Sequence, residues 1–335
     1  EMLRSLVGSE MCIRDRGSEL GSRQQRKSNT SILGSALRQY VFYGEKSPFI
    51  DELTDKELYE LQISELTGDI NRASNYEAKI YYSGNLPFES AYDILSKNLP
   101  LVANERPSDS PTPTPLAPVA ENTVYFLPNS DVEQAQIYLY MPMMKTDKKD
   151  DVVKDAFNQY FGMDFNGLVL NEIREKRSMA YSAYALALTQ GMAGKDTYLS
   201  GYVGTQNDKA NDALDVLMEL VKDMPRNPGR IDNIKSYLRQ EALTSHPDFR
   251  SKAMVLVNLG YQGYEGDPAR ENLPKIDALT FDDIVRFYKE NIKGKPYCIG
   301  IMGNPKDIDV KRLEKYGKVV RLNERKLFGT KDTMF

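Results

Sequence analysis

Apolar residues recur at helical spacing near the start of the chain. Ile32, Leu33, Ala36, Leu37, Tyr40 and Val41 predict a helix over residues 30–43. The run Gly44-Glu45-Lys46-Ser47-Pro48 breaks that rhythm. Thr54 followed by Glu57 has the form of a capping box and predicts a helix running to about residue 73. Residues 78–82, Ala-Lys-Ile-Tyr-Tyr, read as a short strand closed by Ser83-Gly84-Asn85. A further helix over 88–99 places Ala91, Tyr92, Leu95 and Leu99 on one face.

Between residues 104 and 118 the chain carries Pro107, Pro111, Pro113, Pro115 and Pro118. Proline at that density favours extended geometry, so 104–119 is expected to be a semi-rigid linker and a domain boundary. Beyond it, 123–127 and 136–141 alternate as strands. Val152, Val153, Ala156, Phe157, Tyr160 and Phe161 then form the stripe of an amphipathic helix over 150–161. Strands are expected at 180–189, 198–204 and 296–302, and helices at 208–224, 230–245, 249–259 and 281–291. The pattern predicts an α+β fold, with an antiparallel-type sheet and helices packed on one side.

One stretch organises the second half. Asn171-Glu172-Ile173-Arg174-Glu175-Lys176-Arg177-Ser178-Met179-Ala180-Tyr181-Ser182 passes from charged helix to aromatic strand. Basic residues at the helix end suit the negative pole of its dipole. The order of elements also repeats. Tyr43-Gly44-Glu45 opens a block of helix, strand, Ser83-Gly84-Asn85-Leu86-Pro87 and helix. Tyr264-Glu265-Gly266-Asp267 opens a similar block containing Met302-Gly303-Asn304-Pro305-Lys306 and a helix to about residue 316. Two related domains are expected, the first lacking its front half.

Composition narrows the function classes. The 335 residues are 41% hydrophobic and 27% charged, as in a globular protein of up to two domains. A formal net charge of −4 argues against a nucleic-acid partner. No apolar run is long enough to serve as a transmembrane segment. Cys12 and Cys298 form no disulfide framework or metal-ligand spacing. With His246 as the single histidine, the zinc motif H-x-x-E-H cannot be written anywhere in this chain.

The junction resembles the C-terminal half of the pitrilysin/insulinase family of zinc metallopeptidases, the inverzincins. There a similar Arg-Glu-Lys-Arg-(small)-(apolar)-Ala-Tyr-Ser run is typical. The resemblance covers about residues 31–325 and implies the non-zinc half of a zinc-dependent metalloendopeptidase. That half closes a chamber around a peptide or unfolded polypeptide substrate. Zinc is expected in the other, N-terminal half, whether in the same chain or in a partner subunit, and none is expected to be bound here. Arg174 and Tyr181 match the family's Arg and Tyr, implying donors to the substrate carbonyl. The implied layout is a truncated peptidase-like domain at 23–103, the linker, a complete inactive-type domain at 120–325 and a tail at 326–335. Residues 1–22 resemble a translated sequencing-adapter tail and are expected to be non-native; an ordinary terminus is the alternative.

Without the resemblance each residue has a plainer reading. Arg174 sits in a charge run that ordinarily marks a solvated helix face. Tyr181 fits a half-buried sheet aromatic. His246, before Pro247, reads as a helix terminus, and Cys298 as a small buried apolar residue. Tyr138, Tyr140, Tyr184 and Tyr202 suit either a peptide-lined wall or ordinary packing. A non-catalytic scaffold or binding subunit with the same fold is the competing function.

Overall fold

The computed structural model describes residues 15–73, 76, 79–99, 112–145, 147–163 and 166–329. Helices α1 (15–26), α2 (Thr30–Tyr43), α3 (Asp55–Glu60), α4 (Ile63–Ala73) and α5 (Phe88–Asn98) precede the first strand. Strands β1 (Thr123–Pro128) and β2 (Gln134–Met143) lead to α6 (Asp151–Phe161) and the short turn α7 (Leu168–Leu170). After them come β3 (Ala180–Thr189), β4 (Thr197–Gln206), α8 (Ala210–Lys222), α9 (Ile231–Thr244) and α10 (Lys252–Tyr261). The chain finishes with α11 (Pro268–Ala278), α12 (Phe281–Asn291), β5 (Cys298–Gly303), α13 (Val310–Leu313), β6 (Lys318–Arg321) and α14 (Glu324–Phe328).

The fold is α+β, built on a six-stranded sheet in the order β3-β4-β2-β5-β1-β6. The expected antiparallel pairing holds from β3 through β4 and β2 to β5. On the far side β1 inserts parallel to both β5 and β6. A parallel pair needs a long crossover, and almost the whole domain separates β1 from β5.

The main core lies between one sheet face and the helices. Ile137, Leu139, Leu199 and Val203 meet Phe157, Phe161, Leu214 and Ile284 there, all fully buried. Helix α2 covers the opposite face, with Leu33, Leu37, Val41 and Phe42 buried against Leu127, Tyr140 and Met302. Each such side chain contributes roughly 1.5–3 kcal/mol when withdrawn from water. Close approach of α2 requires glycine beneath it: a Cβ on Gly300 would stand 2.6 Å from Val41 Cγ2. Helix α2 precedes the proline-rich stretch in sequence, yet it packs on the sheet formed after that stretch.

Local signals account for many boundaries. Glu57 N–H donates to Thr54 Oγ1 at 3.1 Å and Thr54 N–H to Glu57 Oε2 at 2.8 Å, completing the capping box. The helix expected to continue to residue 73 breaks after Glu60. A second cap, Gln62 N–H to Glu65 Oε2 at 2.7 Å, restarts it as α4. Residues 79–83 are not a strand: no described neighbour offers a ladder, and Ile80, Tyr81 and Tyr82 face solvent. Ala78 and residues 100–111, which carry Pro107 and Pro111, lie outside the described residues, as do residues 330–335.

The parallel between the two blocks is therefore weaker than their sequence order implies. The second strand, β5, is central, whereas the first has no sheet. The helix after Asn304-Pro305 begins only at Val310, where Asp309 caps Lys311 and Arg312 N–H. Among the described residues no helix is long and apolar enough to cross a membrane.

Candidate functional site

The charged stretch leading into β3 is wound differently from an ordinary helix. Residues Asn171–Glu175 form a π-helical turn, and Lys176 N–H donates to Asn171 O at 3.0 Å. Such widened turns are rare and redirect side chains. Glu172 pins the basic residues that follow. Its carboxylate accepts Lys176 Nζ and Arg177 Nη1, each at 2.6 Å, and Arg177 also donates to Glu172 O at 2.7 Å. Hydrogen bonds from Lys176 and then Arg177 hold the Glu172 carboxyl below its ordinary pKa.

The chain then reverses sharply. Ser178 takes φ +50, the one positive-φ residue other than glycine among the described residues. Ser178 N–H donates to Arg174 O at 2.8 Å and Met179 N–H to Ile173 O at 3.0 Å. The buried Thr205 hydroxyl on β4 donates to Met179 O, fixing the entry to β3.

Strand β3 begins with a bulge. Ala180 pairs with Thr205 and Ser182 with Gly204, so Tyr181 is an extra residue without a cross-strand partner. Strict alternation would place Tyr181 beside the buried Ala183, Ala185 and Ala187. The bulge instead leaves it 78% exposed. Here Arg174 and Tyr181 come together: the guanidinium carbon lies 5.3 Å from the ring centroid. Glu175 Oε1 is 3.6 Å from Arg174 Nε. Such stacking is worth about 0.5–1 kcal/mol at an exposed position. The pair stands at the lip of a cleft of about 440 Å³, shared with Ser178, Gln134 and Gln206. Two polar groups with N–H or O–H donors thus sit side by side at the lip of an open cleft.

The other candidates sort differently. Tyr140 is buried under α2, where its hydroxyl donates to Ala117 O at 2.9 Å. Tyr138 donates to Gln136 Oε1 at 2.7 Å. Tyr202 packs at a tilt between Tyr138 and Tyr184, with ring centroids 5.4 and 5.7 Å away. Cys298 is buried and its thiol is pushed up to about 11 by that burial, which suits packing rather than nucleophilic attack. His246 lies far along the helical side, in a separate cavity. Among the described residues no three His, Cys, Asp or Glu side chains converge as a metal site. The Glu172 clamp and the bulge escape sequence reading, although an acid four and five places before two basic residues is the signal for the clamp.

Residues 74–238 match the family model described as the peptidase M16 inactive domain. No curated protein matches the sequence. Several solved structures share the fold. A peptidase M16 inactive domain from Pseudomonas fluorescens is 18% identical with a TM-score of 0.63, and the match covers 88% of this chain and 71% of that one. The periplasmic protease PqqL from Escherichia coli is 13% identical with a TM-score of 0.64, over 88% of this chain and 33% of that one. A mutant of the ferredoxin protease FusC, solved in complex with Arabidopsis ferredoxin, is 10% identical with a TM-score of 0.67. That match covers 88% of this chain and 32% of FusC, so the chain spans only about a third of both proteases.

Proposed function

We propose, for a chain that belongs to the peptidase M16 family through its inactive domain, that it is the non-zinc half of a zinc metalloendopeptidase. In this reading it closes against a zinc-bearing half around a peptide or unfolded polypeptide. The observation that carries it is the Arg174–Tyr181 pair, stacked at 5.3 Å on an exposed lip.

The roles follow from donor chemistry. The Arg174 guanidinium offers a fork of N–H donors and a charge that does not titrate away at neutral pH. The Tyr181 hydroxyl offers one more donor. Aimed at a scissile carbonyl, both strengthen as that oxygen gains negative charge. Preorganisation comes from the clamp: Glu172 draws Lys176 and Arg177 aside, and the bulge turns Tyr181 outward. The zinc half would supply Lewis-acid activation of the attacking water. This chain holds no H-x-x-E-H of its own, so it is not expected to cleave peptides alone. The likeness to FusC, solved with a protein bound, favours a polypeptide ligand.

The test is Arg174→Ala in the complete enzyme. Turnover is expected to fall on the order of a hundredfold, with zinc content unchanged. Loss of zinc, or full activity, overturns the assignment. A scaffold role would leave peptide binding intact and produce no turnover for the substitution to reduce.

A further inference from the structure

Glycine inside a strand weakens it, and its usual reason is that something must pass close by. Gly204 of β4 has no positive φ, so its backbone conformation does not call for glycine. The room is taken by Tyr202, two residues back on the same face. A Cβ on Gly204 would stand 2.9 Å from the Tyr202 hydroxyl oxygen and 3.4 Å from two of its ring carbons. The half-buried ring therefore leans along the strand with its oxygen at Gly204. Cross-strand neighbours hold it there: Tyr202 stands opposite Tyr138 on β2 and Tyr184 on β3.

Gly204 lines the same cleft as Arg174 and Tyr181, and its cross-strand partner is Ser182, the residue after Tyr181. The Tyr202 hydroxyl thus reaches the inner margin of that cleft. Other hydroxyls of this sheet face are engaged, Tyr138 with Gln136 and Tyr140 with Ala117. The Tyr202 hydroxyl has no hydrogen-bond partner among the described residues, and it is not among the polar atoms sealed from water. Burial first, and then Tyr184, raises its pKa above the ordinary 10, so the oxygen keeps its proton at neutral pH. It is a fixed donor that no group of the fold uses.

A polypeptide in the cleft has carbonyls to satisfy. Between Ala185 and Ala187 it cannot do so by extending the sheet. Asn158 already occupies the backbone N–H and C=O of Ala187, and Gly162 abuts the Ala185 carbonyl. Side-chain donors must serve instead. We propose, taking the cleft to receive a polypeptide as above, that the Tyr202 hydroxyl donates to a backbone carbonyl of that polypeptide away from the bond being cut. Tyr202 is then a positioning residue, which seats the chain against Arg174 and Tyr181 and tightens binding without entering the chemistry.

Fluorescence anisotropy on the full chain tests this, with dye-labelled, reduced and carboxymethylated α-lactalbumin as a permanently unfolded polypeptide. Tyr202→Phe is expected to weaken binding about threefold to tenfold, the worth of one hydrogen bond. Its melting temperature should equal that of the unsubstituted chain, because no bond within the fold is lost. Tyr181→Phe, which removes a donor that strengthens only in the transition state, should leave this affinity little changed. Unaltered affinity in Tyr202→Phe overturns the proposal and leaves the polypeptide reading standing. A lowered melting temperature also overturns it, by showing that the hydroxyl is bonded within the fold. No saturable binding to the unsubstituted chain would remove the polypeptide reading and this role with it.

Discussion

Asn158 makes both of its side-chain amide bonds to a single residue, Ala187: Nδ2 donates to Ala187 O at 3.0 Å and Oδ1 accepts from Ala187 N at 2.7 Å. Strand β3 is the edge of the sheet, so these backbone groups would otherwise be unpaired. Helix α6 therefore acts as the missing neighbour of the strand that begins with Tyr181. Asn158→Leu, which leaves two buried backbone groups unsatisfied, is expected to cost about 2–4 kcal/mol. Urea unfolding measures the loss, and faster hydrogen exchange at Ala187 would locate it.

Gly162 guards the same edge. A Cβ there would overlap the Ala185 carbonyl oxygen, part of rigid backbone. Gly162→Ala is expected to destabilise by about 3 kcal/mol or more, because the helix must move off the strand. A melting temperature within a degree of the parent would refute this.

Ser178 carries a smaller strain. At φ +50 a serine is tolerable and a β-branched residue is not. Ser178→Val should cost about 1–3 kcal/mol, while Ser178→Gly stays near neutral. On the proposed function, Ser178→Val should also reduce turnover once the chain is joined to its zinc-bearing half, since Arg174 and Tyr181 lie on either side of the turn.

The pair itself separates two contributions. Tyr181→Phe keeps the ring under Arg174 and removes only the hydroxyl donor. On the proposed function it is expected to lower kcat on the order of a hundredfold with KM little changed, as for a bond strengthened in the transition state. A rise in KM alone would make Tyr181 a binding residue.

Asp155 gives a pH signature. Its carboxyl is raised from an ordinary 3.8 to about 6, so between those values the folded state holds a proton that the unfolded state has lost. Stability from this group is full below about 4 and falls as pH rises through 6. Asp155→Asn should thus stabilise at pH 7 and have little effect at pH 4. Thermal melts across that range check it, and a gain that is larger at pH 4 would contradict the assignment.

Legibility differed between elements for physical reasons. Helix α2 ends where its periodicity ends, at Tyr43 and Gly44, and Thr54 with Glu57 marks a cap by local chemistry alone. The parallel seat of β1 and the placement of α2 over Gly300 depend on partners far along the chain. Residues 79–83 have strand composition but no ladder. At the site, family resemblance singles out Arg174 and Tyr181, and the structure sets them 5.3 Å apart without testing their role; alternation alone sends Tyr181 into the core.

The extra residue at the mouth of β3 behaves as a dislocation does in a crystal. Upstream of it the strand is half a step out of phase with everything downstream: Ala180 and Ala183, three apart, both face the core. Removing Ser182 would heal the defect and give a more regular sheet. It would also swing Tyr181 into the row of Tyr184 and Leu186, behind the strand and away from Arg174. Regularity and exposure are exclusive at this position, and the fold keeps the flaw.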